Sequence, residues 1–326
     1  MHRRVFLAGT VAMVAELGVA GAQPPGKPVR IGRLSPLSAA ADVAFMTAFR
    51  AGLRELGWVE GQSYTIESRF ADGKAEALPA LAAQFVQSGV DVILVGSNPG
   101  ALAAKQATRT IPIVMVTTGD PIDAGIVASL ARPEANVTGV TALGQALSAK
   151  RLEALKEAVP GTTRVAILAN PTSPYRASFL KEQADLVREL RVPLRLVEAA
   201  SPEELPRALG EAASEGAGAL LVLSDVMFFS QRRRIVELVA RHRIPALYPD
   251  REFVDVGGLM FYGARLVELY RRAAVYVDRI VKGARPADLP VEQPTRLELV
   301  LNARTARALG LTFPQSLVLR ADHVIQ

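Results

Sequence analysis

The stretch that decides the fold is residues 90–107, VDVILVGSNPGALAAKQA. Residues 90–95 are a short, mainly β-branched apolar run with the length of a buried strand. Residues 96–100, GSNPG, are turn-forming, and small helix-forming residues follow them up to residue 107. A buried strand that leads through a short loop into a helix is the repeating unit of a parallel sheet covered by helices.

Outward from this unit, strands and helices alternate in two series of similar size. The first series has strands at residues 29–34, 64–66, 90–95, 113–116 and 137–140, with helices near 42–56, 76–87 and 100–107. The second begins after Pro160-Gly161, with strands at 165–168, 194–197, 219–223 and 246–248 and helices near 149–159, 175–190, 203–215 and 230–242. No residue-level repeat relates them. The pattern predicts an α/β fold of two lobes, each built on a parallel sheet.

A further segment follows the second series. It reads as a strand at residues 258–261, a helix at 264–282, and a tail in which apolar runs at 297–301 and 317–319 flank another helix. The two runs in the tail are expected to be strands. Because this segment has no obvious sheet of its own, we expect it to complete both lobes, with the chain crossing between them more than once.

Polar and turn-forming residues follow the strands directly, at the edge where open parallel sheets bind ligands. These loops are Ser35-Pro36, the GSNPG of residues 96–100, the TTGDP of residues 117–121, the ANPT of residues 169–172, Ser224-Asp225 and Tyr248-Pro249. Two such edges that face one another form a cleft lined by hydroxyls, amides and two carboxylates. The sequence therefore predicts a site for a small polar solute.

Residues 1–22 have the pattern of an export signal. Arg3-Arg4 precede a largely apolar run at residues 5–19, and Ala20-Gly21-Ala22 supplies small residues two apart for the peptidase. The run is too short to cross a bilayer comfortably, since a spanning helix needs about 20 apolar residues. We expect cleavage after Ala22. The general secretory and twin-arginine routes both fit, and the alternative is a disordered or membrane-lying N-terminal helix.

The composition limits the compartment and the partners. The 326 residues include no cysteine, which excludes disulfides, thiolate metal sites and a lipidated N-terminal cysteine. Without a lipid anchor, the exported protein must be retained by an outer membrane, so we expect it in the periplasm. The formal charge of +6 is modest, and the basic cluster Arg232-Arg233-Arg234 reads as a solvated helix face. Nucleic acid is not expected as a partner.

Several motifs resemble one protein family in their order and spacing. They are FRAGLRELGWVEGQ at residues 49–62, IPIV at 111–114, GDP at 119–121, RP at 132–133, NVTGV at 136–140, REF at 251–253, GGLM at 257–260, YG at 262–263 and ADLPV at 287–291. The family is that of the periplasmic substrate-binding proteins of ABC transporters whose members include tryptophan- and tyrosine-binding components. The motifs span nearly the whole chain after the signal.

The resemblance implies two Rossmann-like lobes joined by a hinge, the type I periplasmic binding protein fold. It places residues 28–141 and 252–283 in the first lobe, and residues 142–251 and 284–326 in the second. It also implies that the cleft closes around a small polar solute. This solute is an amino acid or a related molecule, and aromatic ones are included. The solute then passes to an ABC permease in the inner membrane. A monomer is expected, and no cofactor or metal.

The resemblance and the loop positions together give ten candidate ligand-binding residues. They are Ser35, Ser97, Asn98, Thr117, Asp120, Asn170, Tyr175, Asp225, Tyr248 and Tyr262. Asp225 is suited to accept from a solute ammonium or hydroxyl, with helix capping as its structural alternative. Capping is equally the alternative for Asp120 and for the Ser97-Asn98 pair, and a turn bond is the alternative for Asn170.

The aromatic residues near the loops have two interpretations. Tyr175, Phe228, Phe229 and Tyr262 are candidates to stack on an aromatic solute, with a place in the core as the alternative. Phe261 stands where the family commonly has a serine or a similarly small residue, and ligand preference differs from the family if this ring faces the cleft.

Three other classes of function compete with solute transport. Catalysis is not expected, because His242 and His323 are unsuited to pair with a nucleophile and no esterase elbow, phosphate loop or HExxH motif is present. A gene regulator of similar fold needs an N-terminal DNA-binding helix pair where the export signal stands. A periplasmic sensor that passes its signal to a membrane receptor remains as the alternative, since it differs from a transport protein only at its outer surface.

Overall fold

The computed structural model of the protein describes residues 27–117, 119–142 and 147–326. The expected signal peptide, residues 1–22, lies outside these described residues. Within them, no helix has both the length and the apolar character that crossing a membrane requires.

Twelve strands lie in the described residues, and their order along the chain follows the alternation expected from the sequence. They are β1 Val29–Ser35, β2 Tyr64–Phe70, β3 Val92–Val95, β4 Ile113–Thr117, β5 Val137–Thr141, β6 Val165–Ala169, β7 Leu194–Glu198, β8 Ala219–Val222, β9 Ala246–Tyr248, β10 Met260–Gly263, β11 Glu298–Asn302 and β12 His323–Ile325.

Helices connect almost all of these strands, as in a sheet covered on both faces. In the described residues they are α1 Ala39–Glu55, α2 Leu78–Ser88, α3 Asn98–Ala107, α4 Ser148–Ala158, α5 Pro174–Leu190, α6 Leu205–Ser214, α7 Val226–Ser230, α8 Arg232–Arg241, α9 Arg251–Asp255, α10 Leu266–Val281, α11 Ala303–Leu309 and α12 Gln315–Arg320. The short helix α7 was not expected from the sequence.

The first five strands form one parallel sheet in the order β2-β1-β3-β4-β5. Strand β1 lies between β2 and β3, with Ile31 opposite both Ile66 and Val92. The order of strands reverses between β1 and β3, so the loops that leave these two strands diverge and open a crevice at their carboxyl ends.

The remaining seven strands form a second sheet in the order β12-β11-β10-β9-β8-β6-β7. All neighbours are parallel except β10 and β11, which are antiparallel, with Met260 opposite Leu301. Strand β6 lies between β7 and β8 as β1 lies between β2 and β3, so the second sheet has the same kind of crevice. The prediction of two α/β lobes is confirmed.

The segment after the second series differs from the expected domain boundaries. Residues 252–283 were expected in the first lobe, yet β10 pairs with β9 at Met260 and Leu247 and so belongs to the second sheet. Only α10 from this segment packs on the first sheet, against α1, β4 and β5. The apolar run at 258–261 completes the larger sheet because β9 leaves an unpaired edge beside it, and the chain crosses over after Gly263.

Helices α1 and α10 pack closely on one face of the first sheet. The approach requires Gly52, because a Cβ at this position would lie 2.6 Å from the Arg271 carbonyl oxygen. Phe49 and Leu53 on α1 are completely buried in the same layer. Helix α10 therefore becomes part of the first lobe, although it follows a strand of the second.

The tail differs from the expectation at one element. The run at residues 317–319 was expected as a strand, but it lies in helix α12, and the last strand is β12. The apolar run is too short for its periodicity to distinguish a helix from a strand. Leu317 is buried and Leu319 is exposed, as on two sides of a helix end.

Candidate ligand-binding site

A cleft lies where the crevices of the two sheets face each other. From the first lobe it is lined by Pro36, Leu37, Phe45, Gly96, Ser97, Val116, Leu266 and Tyr270, and from the second by Ser224, Asp225, Val226, Phe229 and Asp250. Most of these residues directly follow β1, β3, β8 or β9. The site is therefore built where parallel sheets of this order bind ligands.

The first-lobe wall rests on a buried ion pair. Arg33 on β1 and Asp42 on α1 are bound through two hydrogen bonds, from Nε to Oδ2 at 3.0 Å and from Nη2 to Oδ1 at 2.5 Å. The side chains of both residues are almost completely inaccessible to solvent. The guanidinium also donates to the Tyr270 hydroxyl at 2.8 Å. Both charges are thus neutralised within the wall.

Gly96 permits this arrangement at the cleft surface. A Cβ on Gly96 would lie 2.3 Å from the Tyr270 hydroxyl oxygen and 2.8 Å from Arg33 Nη2. The loop after β3 can therefore lie against Tyr270 and Arg33 only because position 96 has no side chain.

Three aromatic rings form the apolar part of the cleft. Tyr270 stacks on Phe45 with ring centroids 4.9 Å apart, and Phe45 meets Phe229 of the second lobe at 5.8 Å. The Arg232 guanidinium covers Phe229, 4.9 Å from its centroid. The rings join the two lobes and offer flat apolar surface to a solute.

The second-lobe wall presents the carboxylate of Asp225. One oxygen, Oδ1, accepts from the Met227 and Phe228 amides at 2.9 and 3.2 Å and so caps α7. The other oxygen accepts from Asn170 Nδ2 at 3.3 Å. Burial raises the pKa of Asp225 above its ordinary value despite these hydrogen bonds. The residue both caps a helix and lines the cleft.

Asp250 is the second carboxylate on the same wall. It precedes α9 but does not cap that helix with its side chain. Its exposed fraction is 6%, and burial raises its pKa to about 7, with Glu252 adding to the effect and Arg151 and Arg232 opposing it. A group with this pKa is partly protonated near neutral pH.

The cleft is narrow in this conformation. The cavity between the lobes measures about 50 Å³, whereas one water needs about 10–15 Å³. The space holds a few waters but no molecule of the size of an amino acid. A molecule of that size would fit here only if the lobes were farther apart, without the contact between Phe45 and Phe229.

The predicted residues of the loops after β1 and β3 lie beside the cleft in different roles. Ser35 is fully buried and donates to Asp42 Oδ1 at 3.0 Å. Ser97 lines the cleft and caps α3 by accepting from the Gly100 amide at 3.1 Å. Because Pro99 has no N–H, this helix end offers few amides to a solute anion. Asn98 is buried, donates to the Asp120 carbonyl at 3.4 Å, and leaves its Oδ1 without a partner.

Of the other candidates, Asp120 does not line the cleft. Asp120 is exposed, and its Oδ1 accepts from the Ile122 and Asp123 amides at 2.7 and 3.2 Å, so it stabilises the turn at residues 121–125 and not the short helix expected there. Thr117 is the last residue of β4 and Tyr175 lies in α5, but the side chains of both fall outside the described residues.

The remaining tyrosine candidates lie in the core of the second lobe. Tyr248 is buried and stacks on Phe253 at 4.9 Å. Tyr262 packs against the apolar cluster around Leu299 and Leu301. Phe261, the departure from the family pattern, is fully buried against Val254 and Val300 and does not line the cleft. Asn170, in contrast, lies next to the cleft, where it contacts Asp225.

Sequence reasoning did not identify seven of the residues that line the cleft: Leu37, Phe45, Val116, Val226, Asp250, Leu266 and Tyr270. Phe45 lies inside helix α1 rather than after a strand, and Leu266 and Tyr270 lie on α10, which is far in sequence from the other first-lobe residues. Asp250 follows Tyr248-Pro249 directly, so its place after a strand was the available signal.

Comparisons with known proteins show the family and the fold of the chain. Residues 30–325 match the model of a family described as ABC transporter substrate binding protein. A curated relative, the tyrosine-binding protein of Clostridioides difficile, is 25% identical over 264 residues, which are 81% of this chain and 75% of the relative.

Two solved structures have the same architecture. A conserved domain protein from Vibrio cholerae is 24% identical with a TM-score of 0.85, over 91% of this chain and all of that one, and shows the fold. An ABC domain from Streptococcus pneumonia in complex with L-Trp is 25% identical with a TM-score of 0.82, over 90% of this chain and all of that one.

The fold is that of the type I periplasmic binding proteins, as the resemblance implied. The relatives are solute-binding proteins, which confirms the expectation that the chain is not an enzyme. Proteins of this kind bind small molecules and work with a permease. The family match extends over almost all of the described residues, and the chain therefore belongs to the ABC transporter substrate binding protein family.

Proposed function

We propose that this protein is the extracytoplasmic solute-binding component of an ABC importer, which captures an amino acid or a related amine between its lobes. It then delivers the solute to a permease in the inner membrane. The observation on which this proposal depends is the interlobe cleft, where three aromatic rings of both lobes adjoin two carboxylates of the second. A cleft of this kind suits a solute with an ammonium group and an apolar or aromatic side chain.

The charge distribution in the cleft supports an amine rather than an acid as the solute's key group. The guanidinium of the first-lobe wall is already neutralised by Asp42 and is almost completely buried. The carboxylates of Asp225 and Asp250 lie on the other wall with raised pKa values, because both are partly deprived of water. An incoming ammonium group would restore favourable interactions to these carboxylates.

Hinge closure follows from how the chain connects the lobes. It passes between the sheets after β5, between β10 and α10, and again before β11. We propose that residues 28–141 and 266–292 form one lobe, that residues 147–263 and 298–326 form the other, and that the crossings act as the hinge. A solute that contacts both walls stabilises the closed state, because it binds that state more tightly.

We further propose that residues 1–22 are removed on export, that the mature protein works in the periplasm, and that it acts as a monomer. Mass spectrometry of the protein from a periplasmic extract should give a chain that begins at Gln23. A chain that retains residues 1–22 and fractionates with the cytoplasm would contradict the export proposal. Gel filtration with light scattering tests the monomer.

The solute class is tested by a thermal-shift screen of the purified protein against the amino acids, their deaminated analogues and nucleosides. A ligand at 100 times its dissociation constant should stabilise the protein by about 2.7 kcal/mol. We expect amino acids with aromatic or large apolar side chains to give the largest shifts. The proposal fails if deaminated acids or nucleosides stabilise the protein and no amino acid does.

The position of the site is tested by Asp225→Asn, which keeps a capping side chain for α7 and removes the charge. Alanine is the poorer probe, because it also removes the cap that Asp225 provides to Met227 and Phe228. Asp185→Asn is the matched control, since Asp185 is an exposed carboxylate on α5. We expect Asp225→Asn to weaken amino-acid binding at least tenfold and the control to change it less than twofold. Equal binding by both variants would mean that the charge of Asp225 does not contact the solute.

A further inference from the structure

Asp225 and Asp250 are both followed directly by short helices on the second-lobe wall, yet their side chains are used differently. The Asp225 carboxylate accepts from two amides of α7 and from Asn170. The Asp250 carboxylate does not cap α9, and among the described residues none donates a hydrogen bond to it. Asp250 is nonetheless buried, with an exposed fraction of 6%, and it lines the cleft. A buried carboxylate without a donor gains more from an incoming ammonium than one that is already bonded.

Arg151 fixes the peptide that holds Asp250. From α4, its Nη2 donates to the Pro249 carbonyl at 3.1 Å and its Nε donates to the Tyr262 carbonyl at 2.9 Å. One buried guanidinium therefore joins the cleft loop to the end of β10, immediately before the chain crosses to the first lobe. A Cβ on Gly263 would lie 3.0 Å from Arg151 Nη2, so the crossing strand lies directly against this guanidinium.

We propose that Asp250 makes the site selective for solutes that carry a protonated amine, and that Arg151 is the positioning residue that holds Asp250 at the cleft. The inference rests on the proposed function, which it deepens by naming the group that recognises the amine. Asp225 is partly engaged in capping α7, whereas Asp250 offers its carboxylate to the solute.

The charged groups around Asp250 determine how this selectivity depends on pH. They are Arg151 from α4, Arg232 from α8, Glu252 from α9 and Asp225 at the start of α7. Burial outweighs the two arginines and raises the pKa of Asp250 to about 7. Below this pH the empty site holds a proton on Asp250, which an ammonium group must displace, so binding weakens as the pH falls.

The first experiment compares two probes, L-tryptophan and 3-indolepropionate, which differ only in the amine. Calorimetric titration of Asp250→Asn should lower the ratio of their affinities, tryptophan over indolepropionate, at least tenfold relative to the wild type. Asp255→Asn is the matched control, since Asp255 lies on the same helix, half exposed, and should leave the ratio within twofold. L-tyrosine and 3-(4-hydroxyphenyl)propionate form a second matched pair.

The outcomes separate this inference from the proposed function. If the wild-type protein binds no amino acid, including L-tryptophan and L-tyrosine, both the proposed function and this inference are wrong. A wild-type protein that prefers the amino acids, combined with an unchanged ratio in Asp250→Asn, overturns this inference alone.

The second experiment measures the affinity for L-tryptophan between pH 5 and pH 7.5. In the wild type it should fall by about tenfold per pH unit well below 7, the slope for one displaced proton. Asp250→Asn should flatten the profile. Arg151→Gln removes a charge that favours the Asp250 carboxylate and should move the midpoint to higher pH, and Arg151→Lys should return it toward the wild type. If both Arg151 variants lower the melting temperature and leave the midpoint in place, Arg151 is structural and the positioning role is wrong.

Discussion

The two walls of the cleft differ in whether their buried charged groups are paired. In the first lobe, the Arg33 guanidinium and the Asp42 carboxylate lie 2.5 to 3.0 Å apart and neutralise each other beneath the surface. In the second lobe, the Asp225 and Asp250 carboxylates have no cation in hydrogen-bond contact among the described residues, and burial raises the pKa of both. The ion pair of the first wall stabilises the fold, whereas the carboxylates of the second wall could pair with a cationic group of a solute.

On the proposed function, this difference separates structural carboxylates from carboxylates that bind the solute, and the free energy of unfolding measures it. Removing a buried, paired carboxylate leaves its partner charge uncompensated and destabilises the protein. Removing a buried carboxylate without a paired cation relieves a desolvation cost and leaves stability unchanged or improved. Substitutions at Asp42, Asp250, Gly96 and Asp225 test this distinction through the free energy of unfolding.

Asp42→Asn should have the largest effect, because it leaves the Arg33 charge buried without its partner. We expect the free energy of unfolding, measured with urea, to fall by about 3–5 kcal/mol. The matched control is Asp288→Asn, which breaks an exposed ion pair with Arg285 and should change stability by less than about 1 kcal/mol. Equal losses of unfolding free energy in the two variants would mean that the buried pair of Arg33 and Asp42 contributes no more stability than an exposed pair.

Asp250→Asn should have the opposite sign at neutral pH. The folded-state pKa of about 7 lies above the ordinary value of 3.8, so the folded protein holds a proton that the unfolded chain loses between these pH values. This group therefore lowers the stability of the wild type as the pH rises from 4 to 7. At about 1.4 kcal/mol per unit, the variant should become more stable than the wild type by up to about 4 kcal/mol above pH 7. Parallel profiles in urea unfolding from pH 4 to pH 8 would contradict the account.

Gly96→Ala tests the contact between the β3 loop and the ion pair of the first wall. The added Cβ would overlap the Tyr270 hydroxyl and Arg33 Nη2, so the loop or Tyr270 must shift. We expect a loss of about 1–3 kcal/mol in the free energy of unfolding. Gly210→Ala on α6 is the control, because a Cβ placed there would meet no atom within 4 Å apart from its chain neighbours and the backbone of its own helix. If the two variants are equally stable, Gly96 is not required for this packing.

Asp225→Asn should change stability least. Asparagine caps helices about as well as aspartate, so the α7 cap survives and the free energy of unfolding should stay within about 1 kcal/mol of the wild type. The same variant is expected to lose solute binding, and the comparison with Asp42→Asn shows whether the two walls differ as proposed. A loss of stability as large as that of Asp42→Asn would make Asp225 a structural residue.

The sequence was sufficient to predict the two sheets, because their strands are short β-branched runs between amphipathic helices. It did not determine which sheet received the strand β10. That strand pairs with β9, the strand that precedes it in the sequence, whereas the helix α10 that follows it packs on the first sheet. Local patterns indicate that an element exists, whereas its partner depends on packing across the whole chain.

The candidate site shows the same division. Ser97 and Asp225 were predictable, because polar residues that end buried strands lie at the edge where ligands bind. Tyr270 was not predictable, because it lies 237 positions from Arg33 in the chain, although its hydroxyl accepts a hydrogen bond from that residue. Tyr248 and Tyr262 were chosen for the loops they adjoin, and their rings pack into the core because an aromatic ring gains more by burial there.

A crystal structure of the protein with its preferred amino acid would locate the solute. We expect the solute between the aromatic rings of Phe45 and Phe229, in a cleft wider than the one described, with its amine nitrogen within 3.2 Å of a carboxylate oxygen of Asp225 or Asp250. A solute that lies outside this cleft, or that turns its amine toward the first-lobe wall, would contradict this expectation.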